Sequence, residues 1–136
     1  MSTIASFSFE GHTFKKIFLN LENKASNNLQ IVFDPSGEFI SDTSIFNLKF
    51  NFQAKSEGSE ESFINIDIRA IFKFENVTNL DEIPAYFWRN SIAIVFPYIR
   101  AFVSTLTLQA NIPPVLLPTM NLSSLEPELK KNTVII

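Results

Sequence analysis

His12 is the one histidine among 136 residues, and the chain has no cysteine. Thiolate chemistry, a disulfide framework and a cysteine or clustered-histidine metal site are thereby excluded. A serine–histidine nucleophile would have to use His12, which has no visible acidic partner and reads as a surface or structural residue. Glu57, Glu60 and Glu61 form the densest carboxylate cluster. General acid–base work needs apolar shielding or a perturbing neighbour, and this cluster reads instead as a solvated turn. Gly11, Gly37 and Gly58 are too scattered for a phosphate loop or dinucleotide fingerprint. A formal charge of −3 gives no footprint for nucleic acid. No catalytic residue, metal site or cofactor is assigned, and the chain reads as a non-enzyme.

The chemistry left is apolar. Fifteen phenylalanines stand beside one tryptophan and two tyrosines, and charged residues make up only 18%. So much aromatic surface must enter a core, an interface or a binding groove. The length suits one domain spanning residues 1–136. Met1 to Phe9 lack a basic start followed by a long apolar run, so the expected location is cytoplasmic.

The elements that must position these side chains divide the chain into a strand-like first half and a helix-like last third. Phe46, Leu48, Phe50, Phe52 and Ala54 alternate with Asn47, Lys49, Asn51, Gln53 and Lys55. Ile64, Ile66, Ile68, Ala70, Phe72 and Phe74 repeat the pattern. Period two over such lengths predicts two half-buried strands forming an antiparallel hairpin. Leu29, Ile31 and Phe33 predict a short strand closed by a turn at Asp34-Pro35-Ser36-Gly37. Phe7 to Leu21 alternates with a change of phase, which a bulge near Gly11, or a stretch buried on both faces, would explain. The total is a four-stranded antiparallel sheet.

A helix is predicted from about Pro84 to Gln109, capped by Asn79 or Asp81 and kinked at Pro97. Ile92, Val95, Phe96, Ile99, Phe102, Val103 and Leu106 form one buried face. Ile94, Tyr98, Ala101, Thr105 and Leu108 form a second stripe, roughly opposite. Ala93, Pro97, Arg100, Ser104 and Thr107 lie in a narrower strip between them. One sheet covers only one face, so the second stripe is assigned to an interface with another subunit. Insertion in a membrane is disfavoured, because Arg100 in mid-segment would cost about 2.5–3.5 kcal/mol. Arg100 is read as a structural partner, for instance to a carbonyl freed near Pro97. Pro113, Pro114 and Pro118 around Val115-Leu116-Leu117 predict an extended apolar strap. Ser123 or Ser124 caps a short final helix through Leu129, and Val134-Ile135-Ile136 ends the sequence as an apolar tail. The fold class is α+β.

Phe96-Pro97-Tyr98-Ile99-Arg100, followed by Ser104, Leu106, Pro113, Leu117 and Asn121, resembles the C-terminal helical region of the SecB family of protein-export chaperones. Departures from the family pattern are Gln109-Ala110 in place of arginine-glycine, Pro118 one place early, and Arg69-Ala70 before Ile71-Phe72. The resemblance implies a homotetramer, a dimer of dimers with sheets outside and helices in the middle. It also implies no ATP, no metal and no reaction.

Unfolded polypeptide clients would pass through grooves between the sheet and the strap, either for export or as a dedicated client such as an antitoxin. Phe63, Ile112, Val115, Leu116 and Leu117 are the client-binding candidates; each reads equally well as a core or strap-packing residue. The resemblance implies SecA, the export motor, as a partner docking on an acidic sheet. That face here carries Lys49, Lys55, Arg69 and Lys73 beside Asp67 and Glu75, which disfavours it. A second reading is an apolar small-ligand pocket between sheet and helix; a third is a purely structural oligomer.

Overall fold

Alternation becomes sheet wherever a helix is available to cover its apolar side. A computed structural model of the chain describes residues 6–117 and 121–136; Pro118 of the expected strap lies outside the described residues. The elements run β1 (Phe7–Leu19), β2 (Leu29–Ile40), β3 (Ile45–Ser56), β4 (Ile64–Phe74), α1 (Ala85–Gln109), α2 (Leu125–Lys131) and β5 (Thr133–Ile135), with short 3-10 turns between. The sheet order is β1-β4-β3-β2-β5. The first four strands pair antiparallel. The apolar tail adds a fifth strand, parallel to β2, through Gly37↔Thr133, Glu38↔Val134 and Phe39↔Ile135. The expected count of four is thus corrected to five.

The central hairpin follows its alternation. Phe46, Leu48, Phe50, Phe52, Ile64, Ile66, Ile68, Phe72 and Phe74 are all buried on one side. The turn expected at Asp34-Pro35-Ser36-Gly37 does not form; β2 runs through it, with Pro35 opposite Phe50 and Gly37 opposite Leu48. Gly37, Phe39 and Ser41 direct main-chain groups away from β3, toward the tail. By alternation Pro35 does so too, so its missing N–H costs the β2–β3 ladder nothing. Gly37 is required for close approach, because a Cβ there would meet the Phe46 ring and Thr133 Oγ1.

The phase change in β1 needs two bulges. The register shifts between Phe9 and Gly11 and again between Phe14 and Lys16. Each extra residue flips the alternation, so Phe7, Phe9, His12, Phe14, Ile17 and Leu19 all stand opposite inward residues of β4. Gly11 takes φ +134, a conformation that favours glycine.

α1 lies across the sheet and continues through Pro97. Phe87, Trp88, Ile92, Val95, Phe96, Ile99 and Val103 are buried against the sheet. Phe87 meets Phe46 at 4.9 Å and Phe72 at 5.4 Å between ring centroids, both edge-to-face. Phe14 stacks on Phe102 at 4.3 Å. Such pairs contribute about 0.5–1.5 kcal/mol each beyond area burial. By length and composition α1 is apolar enough to cross a membrane, yet this face is already committed to the sheet. Asn79 caps the 3-10 turn Leu80–Glu82 rather than α1, which starts after Pro84 without a side-chain cap. Neither expected serine caps α2 with its side chain, and α2 reaches Lys131 rather than Leu129; Asn121 caps the preceding turn.

Candidate functional site

α1 ends where Asn111 adopts φ +60, a left-handed conformation that asparagine tolerates. The chain then turns back along the helix as an extended strap. Ile112 N–H donates to the Thr107 carbonyl at 3.3 Å. Val115 N–H donates to Thr107 Oγ1 at 2.8 Å, and that hydroxyl donates to the Val103 carbonyl at 2.8 Å. Thr107 is completely buried. One hydroxyl therefore pins the strap to the last turns of the helix.

Extended backbone alternates its side chains. Val115 and Leu117 point into the core and are 6% and 2% exposed, whereas Leu116 between them is 72% exposed. Leu116 and Leu117 form one wall of an open groove of about 350 Å³; Pro97, Arg100, Ala101 and Ser104 of α1 form the other. Arg100 was expected as a structural partner. Among the described residues it makes no hydrogen bond or ion pair and is exposed at this groove.

The five client-binding candidates therefore separate. Phe63 is fully buried, below the ammonium of Lys24 at 5.9 Å. Val115 and Leu117 anchor the strap, and Ile112 is half-buried against the core. Leu116 alone among the five is open to solvent. The five interface candidates separate less. Ile94 packs partly on the core, while Tyr98, Ala101, Thr105 and Leu108 are exposed along α1. Tyr98 lies against His12 of β1 at 4.0 Å between ring centroids, and both are exposed, so His12 is a surface residue. Ala101 borders both the stripe and the groove.

A family model described as preprotein translocase subunit SecB matches residues 3–131. The chain belongs to the SecB family. The SecB-like chaperone Rv1957 of Mycobacterium tuberculosis, solved with a ChAD peptide from the HigA1 antitoxin, aligns with a TM-score of 0.67 and 18% identity. That alignment covers 85% of this chain and 88% of the other, and shows a shared fold. An uncharacterised protein of Methanocaldococcus jannaschii is 48% identical over 46 residues, 34% of this chain and 30% of that protein. The matched region thus spans under a third of that relative's length.

Membership of the SecB family supports a chaperone role. The sheet's outer face differs from an acidic docking surface. Asn51 Nδ2 donates to Asn65 Oδ1 at 2.8 Å and Asp67 Oδ1 at 2.5 Å, and Gln53 Nε2 donates to Asn51 Oδ1 at 3.0 Å. Lys49 pairs with Glu38. A shallow hollow among these strands holds Lys15, Asp34, Lys49, Asp67 and Arg69 together.

Thr107 is the residue that sequence reasoning missed, having been placed in the strip between the stripes. The signal was present: Val95, Ile99, Val103 and Thr107 continue a strict i+4 row, and all four are buried. Thr107→Val keeps the shape and removes the acceptor of the Val115 N–H. The expected cost is about 1–3 kcal/mol for a buried unsatisfied donor. Thermal unfolding reads the loss, and faster exchange of the Val115 amide reads the loosened strap. Unchanged exchange there would show that the hydroxyl does not hold it.

Proposed function

We propose that this chain is an ATP-independent holdase that binds extended apolar segments of unfolded polypeptides and keeps them competent for export or folding. The observation that carries this reading is the groove between α1 and the strap, in which Leu116 stays exposed while both its neighbours are buried. Binding there would bury apolar surface at about 25 cal/mol per Å², less the cost of ordering the client. Arg100 on the rim favours segments with an acidic residue near the apolar one. The antitoxin peptide held by the Mycobacterium tuberculosis SecB-like chaperone supports a dedicated client of the same kind.

The working assembly is a cytoplasmic homotetramer joined through Tyr98, Ala101, Thr105 and Leu108 of α1. Their exposure on an apolar helix supports that reading. Docking of SecA on the sheet is disfavoured, because the outer face mixes both signs of charge. An internal small-ligand pocket is disfavoured by the interlocked rings of Phe46, Phe72, Phe74 and Phe87 between sheet and helix.

The test dilutes denatured reporter proteins into buffer without ATP. At one tetramer per reporter, light scattering from aggregation is expected to fall by more than half. Scattering that is unchanged across several reporters overturns the holdase reading.

A further inference from the structure

β5 covers little of what it touches. It pairs with three residues of the twelve-residue β2. Beyond Thr133, which is buried, side chains gain little from this: Val134 and Ile135 of the strand and Ile136 after it remain 57%, 50% and 64% exposed. The hold is made by the main chain, with Ser41 Oγ adding a bond to the Ile136 carbonyl at 3.4 Å. Gly37 N–H donates to the Asn132 carbonyl at 3.3 Å, Ile136 N–H to the Phe39 carbonyl at 2.8 Å, and Ser41 N–H to the Ile136 carbonyl at 3.3 Å. Before the strand and at its first residue the attachment is firm. Leu129 is fully buried, Thr133 Oγ1 donates to the Leu129 carbonyl at 2.6 Å, and Arg89 pairs with Glu126 across α1 and α2. A well-anchored helix thus presents a weakly held, apolar, extended tip to a sheet edge.

Main-chain pairing at an edge is indifferent to side-chain identity, so any extended segment can substitute for the tip. In hydrogen bonds the exchange balances, because each one lost to β5 is regained with the newcomer, and the newcomer's cost of association is offset by the apolar surface it buries. From this we infer that β5 is a displaceable internal occupant: an extended, β-branched apolar segment of an unfolded polypeptide replaces Val134–Ile136 along Gly37–Ser41 of β2. The inference rests on the holdase reading and adds its regulation, since a client must compete with the tip. An occupant closed most of the time lowers the apparent affinity by the fraction of time the edge is open.

The test compares the intact chain with one lacking residues 134–136 and with Val134→Pro, which removes a donor midway between Asn132 and Ile136. The probe is a fluorescent peptide repeating residues 130–136. Both altered chains are expected to bind it about tenfold more tightly than the intact chain, with amide shifts at Gly37, Phe39 and Ser41. Circular dichroism checks that they are folded, and the proline variant keeps the comparison open if the shortened chain is not.

Equal affinity for all three chains overturns the inference. So does a shortened chain that only gains mass by pairing with copies of itself. The aggregation assay on the intact chain reports separately on the holdase reading: suppression there with equal peptide affinities removes the tip's role and leaves that reading in place.

Discussion

A Leu116→Asp chain is expected to fold with an unchanged melting temperature and to bind unfolded clients at least tenfold more weakly. Leu116 is mostly in water already, so its removal takes nothing from the core. Its worth lies in what it buries when a client enters the groove. Covering one leucine side chain contributes about 1.5–3 kcal/mol, which corresponds to about 10–150-fold in affinity. An aspartate also brings a charge that must shed water on binding. Leu117→Asp is the informative contrast. Leu117 is buried, so the same substitution one residue along strikes the fold first and lowers the melting temperature. Anisotropy with a labelled, reduced and alkylated client reads the first effect, and a thermal melt reads the second. Unaltered client affinity in Leu116→Asp would remove the strap groove as the binding site.

Leu108→Glu is expected to split the proposed tetramer, lowering the solution mass to two copies or one with the sheet intact. Leu108 is 59% exposed in the chain and stands on the outward stripe. It does not line the groove. A carboxylate buried there in an assembly would lack a partner, and an unpaired buried charge costs several kcal/mol. Ala101→Glu should split the assembly as well. Because Ala101 borders the groove, it is also expected to weaken client binding, so the pair of variants separates assembly from binding. Light scattering gives the mass. A tetramer that survives both substitutions would place the subunit contact elsewhere.

Elements that bury one face by a fixed period were legible in the sequence. β3 and β4 alternate over eleven or more residues, and α1 runs close to its expected bounds. Elements decided by distant pairing were less legible. Asp34-Pro35-Ser36-Gly37 has turn composition, but the continuous ladder to β3 overrides that local preference. Thr133–Ile135 is too short to show a period, and only β2 across the sheet makes it a strand.

The strap was legible but the groove's other wall was not: the sheet was expected there, and Pro97, Arg100, Ala101 and Ser104 of α1 form it instead. The proline-rich apolar segment announced a strap, and alternation would have separated Leu116 from Val115 and Leu117. That Phe63 is core and Thr107 is a strap anchor depends on neighbours supplied by other elements.

On the proposed holdase reading, the two bulges in β1 bear on a hazard of handling aggregating chains. β1 lies at one side of the sheet, opposite the side carrying β5. A long straight edge strand offers a regular row of donors and acceptors on which sticky chains can stack without limit. Glu10 and Lys15, the residues that the register leaves over, each break the spacing of that row and place a charge at the break. No stretch between the breaks is long enough to start a cross-β stack. On the proposed holdase reading, this keeps β1 from serving as a template on which client chains deposit.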